Sequence, residues 1–187
     1  MGRWQPNARG RLMQAAFALY GERGFEQTTV AEIAERAGLT ERTFFRHFAD
    51  KREVLFAGAE ALQELLVSTV AEAPASLTPF DVAAAGLEAV GAYIQEGDLA
   101  HQRQAIVASS AELQERELIK LASLAAALAG ALRGRGVEDP AASLTAEAGI
   151  AVFKVAFERY VEEGNEEELP LLIRASLDDL KAVTAAR

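Results

Sequence analysis

Along residues 7–22 the apolar positions Leu12, Ala15, Ala16, Leu19 and Tyr20 recur at i, i+3, i+4, i+7 and i+8, which predicts an amphipathic helix stopped near Gly24. Thr29 followed three residues later by Glu32 forms a capping-box signature. It opens a second short helix with Val30, Ile33, Ala34 and Ala37 inward and Gly38 as its left-handed stop. Leu39 fills the turn. Thr40 then caps a third helix in which Phe44 and Phe48, one turn apart, point into the same core. Asp50 and Glu53 read as another capping box, starting a fourth helix that runs through Leu55, Leu62, Leu65 and Leu66 towards Glu72. The Pro- and Ser-containing stretch 73–79 is a loop, and further helices are expected at roughly 79–96, 98–109, 111–135, 141–163 and 169–185.

The whole is therefore expected to be all-α. Residues 1–50 form a three-helix bundle with a helix-turn-helix, and residues 51–187 form a second helical domain, the helix over 51–72 connecting the two. Composition agrees, since half of the 187 residues are apolar and only five are Pro. The absence of Cys removes disulfides, thiolate metal sites and Cys nucleophiles. No segment has the uncharged length of a membrane span, so the expected compartment is the cytoplasm.

Charge sharpens the division. The net charge is −9, yet residues 1–56 carry nine Lys and Arg against seven Asp and Glu, which leaves a balance of −11 on residues 57–187. Only the N-terminal third suits a polyanion. With Phe44 and Phe48 buried, the third helix turns Glu41, Arg42, Thr43, Phe45, Arg46 and His47 towards its open face. Arg takes guanine O6 and N7 together, Glu accepts from cytosine N4, and Thr or Phe touches a thymine methyl. The helix starts near Thr29 and Lys51 are expected anion sites, with Arg3, Arg9 and Arg11 reaching a minor groove or nearby phosphates. Trp4 either packs on the first helix or is idle.

The segment GFEQTTVAEIAERAGLTERTFFRHFADKREVL resembles the N-terminal domain of the tetracycline-repressor (TetR) family of bacterial transcriptional regulators. The TTV-x-x-IA start, the AGLT turn, the F-x-x-HF end and the DK-x-x-L run occur together and in order. The resemblance implies a homodimer on a palindrome-like double-stranded DNA operator, a C-terminal pocket for an unknown small effector, and release of DNA on effector binding. It further implies base contacts from Glu41, Arg42, Thr43 and Arg46 and phosphate contacts at Thr29, Phe45, His47 and Lys51. Members often carry Tyr where Phe45 stands, a small residue where Arg42 stands and, in some, a basic one where Ala31 stands. Base reading is thus expected to concentrate on Arg42 and Arg46.

The remainder encodes architecture more than chemistry. An isologous dimer is expected through Leu144, Ala148, Val152, Val155, Leu172, Ile173, Leu177 and Leu180, with Gly149 letting helices approach; the alternative is that these faces complete the monomer core. Candidate pocket residues are Phe80, Leu87, Tyr93, Ile94, His101, Ile106, Leu121, Leu124, Phe153 and Phe157, suiting an apolar or aromatic effector. The Glu162, Glu163, Glu166, Glu167, Glu168 cluster reads as a solvated loop. Nothing calls for a metal, a cofactor or catalysis. A regulator of the same fold without a small effector, controlled by a partner or acting as an activator, and a helical enzyme or adaptor remain as alternatives.

Overall fold

The computed structural model describes residues 7–97 and 99–185. Among them it is all-helical, running α1 (Ala8–Arg23), α2 (Val30–Arg36), α3 (Glu41–His47), α4 (Ala59–Glu72), α5 (Pro79–Gln95), α6 (Ala100–Ala108), α7 (Ala111–Gly134), α8 (Ala141–Tyr160) and α9 (Leu169–Ala185), with no strand. Arg3, Trp4 and Asp98, which entered the sequence expectations, lie outside the described residues. No helix of the described residues is long and apolar enough to cross a membrane.

The chain divides into two compact units, Met1–Gly58 with His101–Leu118, and Ala59–Ala100 with Ile119–Arg187. In the first, α1, α2 and α3 pack pairwise around a core in which Leu12, Leu19, Phe25, Ile33 and Phe44 are almost wholly excluded from water. Removing each such side chain from water contributes about 1.5–3 kcal/mol. The local signals act as the sequence dictates. Thr29 and Glu32 form a complete capping box, Thr40 accepts from the Thr43 N–H, and Gly38 takes φ +63° between α2 and α3.

This unit also recruits sequence that was expected elsewhere. Ile106, Val107 and Leu113 join its core. Three arginines pin the segment after α3. Arg52 bridges Asp50 (2.5 Å) and Glu112 (2.8 Å), Arg116 pairs with Glu53 (2.6 Å), and Arg103 donates to the Leu55 carbonyl (2.9 Å) while pairing with Glu117 (2.8 Å).

The expected fourth helix from residue 51 is corrected: residues 51–58 are turns and α4 begins at Ala59. Asp50 does cap this stretch, its Oδ1 accepting from the Arg52 and Glu53 N–H groups. The Arg52 guanidinium holds the Asp50 carboxyl below its ordinary range against the opposing effect of partial burial. Val54, Leu55 and Phe56 are all buried, and the chain here closes through i to i+3 bonds, Arg52 to Leu55 and Glu53 to Phe56.

In the second unit α5 is central, packing on α4, α8 and α9, while α8 and α9 pair with each other. Small residues set these approaches. A Cβ on Gly91 would stand 2.8 Å from Ile173 Cδ1, one on Gly86 2.8 Å from Leu66 Cδ1, and one on Gly149 3.2 Å from Leu87 Cδ1. Arg135 closes the end of α4 by donating to the carbonyls of Val70, Ala73 and Pro74.

This packing corrects half of the expected dimer face. Val152, Leu172, Ile173 and Leu177 are buried in the core of the second unit within a single chain, and Leu180 packs against it half-buried. Apolar periodicity marks a face that needs covering and is silent on whether the cover comes from the same chain. Leu144 and Val155 stay exposed and Ala148 half-exposed, on the side of α8 opposite its buried residues.

Candidate nucleic-acid interface

The outward side of α3 is built by its inward side. Phe44 is fully buried, with its ring centroid 5.5 Å from that of Phe48, which caps the helix C-terminus in an extended conformation. The neighbouring positions Glu41, Arg42, Phe45 and Arg46 are consequently exposed, Phe45 by 55%. Arg42 and Arg46 lie one turn apart on one face. Thr43 differs from its neighbours: it is half-buried, and its hydroxyl meets the Thr40 hydroxyl at 3.1 Å.

The residues expected on the phosphate side are engaged within the protein. The Thr29 hydroxyl donates to Glu32 Oε2 (2.9 Å) and accepts from the Glu32 N–H, and the Glu32 carboxylate pairs onward with Arg23 (2.7 Å). That carboxylate, held below its usual range first by the Thr29 N–H, already occupies the first turn of α2. The Lys51 ammonium is engaged more fully. Its three donors meet three backbone carbonyls, of Phe25 (2.8 Å), Thr28 (2.9 Å) and Glu26 (3.3 Å), and it sits 4.3 Å from the centroid of the Phe25 ring. The Tyr20 hydroxyl, whose pKa burial pushes above its ordinary range, donates to the Lys51 carbonyl at 2.6 Å. His47 is half-buried, and its Nε2 is enclosed without a hydrogen-bond partner.

Lys51 is therefore a brace on the α1–α2 connection. Replacing it with Met leaves three carbonyls without that charged donor and is expected to destabilise the first unit by roughly 2–3 kcal/mol. Urea unfolding followed by circular dichroism measures this, and an unchanged midpoint would show that the brace carries no stability.

Arg9 and Arg11, expected to reach DNA, likewise make contacts within the protein. Arg9 donates to the Ala57 carbonyl and stands 5.6 Å from the Phe48 ring centroid, while Arg11 donates to the carbonyl of Ala37 at the end of α2. With Arg36 paired to Glu22 (2.5 Å), the first unit holds almost all of its cations in internal contacts. Among its described Lys and Arg residues, Arg42 and Arg46 are those without an internal partner.

The ten candidate effector residues divide between the two units. Ile106 belongs to the core of the first unit, and His101 is exposed in that unit. Leu87 and Phe153 are buried in the core of the second unit. Phe80, Ile94, Leu121, Leu124 and Phe157 pack half-buried against it, and Tyr93 is exposed. A cavity of about 250 Å³ in the second unit is lined instead by Ala122, Ala125, Ala126, Ala129 and Arg133 of α7 with Ser143, Ala146 and Glu147 of α8, and none of the ten lines it. Alanine-rich walls gave no apolar-periodicity signal distinct from core packing. No group of three or more metal-ligating side chains gathers among the described residues.

A buried three-helix frame, a Gly turn and a second helix with exposed Glu, Arg and Phe define a helix-turn-helix protein. Residues 12–57 match the family described as bacterial regulatory proteins, tetR family. The HTH-type transcriptional regulator TcmR of Streptomyces glaucescens is 35% identical over 91 residues, 49% of this chain and 40% of TcmR. The HTH-type transcriptional repressor KstR2 of Mycobacterium tuberculosis is 43% identical over 47 residues, 25% of this chain and 24% of KstR2. The matches thus span well under two thirds of the length of these relatives. In overall fold the chain is similar to the SmeT–triclosan complex, with a TM-score of 0.67 at 21% identity, over 94% of this chain and 90% of SmeT, the repressor of a Stenotrophomonas maltophilia multidrug efflux pump.

Proposed function

We propose that the chain is a DNA-binding transcriptional regulator that acts as a homodimer on a palindrome-like operator and loses affinity for DNA when a small apolar or aromatic effector binds its second unit. One observation carries the DNA-binding part. In a first unit whose other described cations have internal partners, Arg42 and Arg46 stand exposed and unpartnered on the outward side of α3. Base contact by Arg42, Arg46 and Glu41 requires nothing to be dismantled. Phosphate contact by Thr29, His47 or Lys51 requires each to give up its present surroundings.

The effector part draws on SmeT, a protein of similar fold solved with triclosan, and on Phe80, Ile94, Leu121, Leu124 and Phe157, the half-buried fringe of the core of the second unit. An effector acts only through preferential binding to a DNA-incompetent state.

Selection of bound duplexes from random DNA by the full chain is expected to enrich a site with two half-sites about 34–36 Å apart. Effector candidates are then titrated against that site. Failure to enrich any palindrome-like sequence would sink the proposal.

A further inference from the structure

We infer that each half-site of the DNA carries two guanines about two base pairs apart, one read by Arg42 and the other by Arg46. The inference rests on the DNA-binding reading above and names the sequence class which that site takes. Four residues advance an α-helix by about 6 Å, while successive bases are stacked about 3.4 Å apart, so two Arg side chains one turn apart on α3 address base pairs about two steps apart. Each guanidinium fits the paired acceptors O6 and N7 of guanine.

The neighbours decide between bases and phosphates. Glu41 directly precedes Arg42 and is exposed, and its carboxylate would repel a phosphate but accepts from cytosine N4. Phe45 directly precedes Arg46 and is 55% exposed, with no hydrogen bond to offer a phosphate but an apolar face for a thymine methyl. A surface that mixes an acid, two bases and an aromatic ring matches the varied edges of base pairs and mismatches a uniform row of anions. Thr43, bound to the Thr40 hydroxyl, takes no part in this reading.

The test uses the full chain, sequence selection, and the variants Arg42→Ala and Arg46→Ala, which remove the guanidinium. Guanine is expected at two positions per half-site. Changing either G·C pair to A·T is expected to weaken the parent protein by roughly 5- to 150-fold. Arg42→Ala is expected to be indifferent at one of these positions and Arg46→Ala at the other. An enriched motif without the two guanines, or alanine variants that keep both the motif and the affinity of the parent, would overturn this inference alone. Failure to enrich any duplex would overturn the DNA-binding reading and this inference with it.

Discussion

Replacing Phe44 by Ala is expected to cost the first unit about 3–5 kcal/mol. The side chain is fully buried, and its ring stands 5.5 Å from those of both Phe45 and Phe48. It is also the anchor of a helix of only seven residues, too short to persist in water without tertiary packing. The loss therefore falls on the placement of Arg42 and Arg46 as much as on stability, because the same ring that fills the core fixes which side of α3 faces outward. Hydrogen exchange of the α1–α3 amides provides the measurement. Protection there is expected to fall by several hundredfold or more, while amides of α5 and α8 in the second unit keep theirs. A loss of less than about 1 kcal/mol would mean that the core closes over the deletion, and that Phe48 with Ile33 suffices to hold the frame.

The legibility of this fold depends on how local each signal is. Thr29 with Glu32, Thr40 and Gly38 act on backbone groups three or four residues away, so sequence alone places α2, the turn and α3 to within a residue. The start of α4 failed because the capping behaviour of Asp50 is real but the fate of the next residues is decided by long-range burial. Val54, Leu55 and Phe56 are all taken up by a core that includes Ile106, Val107 and Leu113, about 50 residues later in the chain. No periodicity near residue 54 announces that partner. The exposed side of α3 was legible by residue type, yet the internal engagement of the residues expected beside it was not. Lys51 looks like a free cation in sequence, and only the path of the α1–α2 connection brings the carbonyls of Phe25, Glu26 and Thr28 to it. The effector residues were the least legible, since an apolar side chain at helical spacing has the same signature in a core and in a pocket. Ile106 illustrates this by filling the other unit.

The double substitution Leu144→Glu with Val155→Glu is expected to convert the proposed dimer to a monomer, weakening association by about 4 kcal/mol or more, roughly a thousandfold. Helix α8 buries Ala142, Ala146, Gly149, Phe153 and Ala156 within its own unit, yet its opposite side carries Leu144, Ala148, Ala151 and Val155 at steps of four, three and four residues. Leu144 is 65% and Val155 51% exposed. Single exposed apolar residues are ordinary, but a stripe at helical period opposite the core is a face without a partner. On α9, Leu171 is 59% exposed and shares its outward side with Ala175 and Ala182. In the proposed dimer, two such helices from each of two chains would make an isologous four-helix contact in which small residues permit close approach. Four carboxylates placed there must lose water and face one another, whereas in a monomer they stay solvated, so the expected effect is on association and not on folding. Sedimentation at micromolar concentration separates the outcomes. A parent chain that sediments as a monomer would remove the dimer from the proposed function. A parent dimer that survives both substitutions would move its interface away from this side of α8.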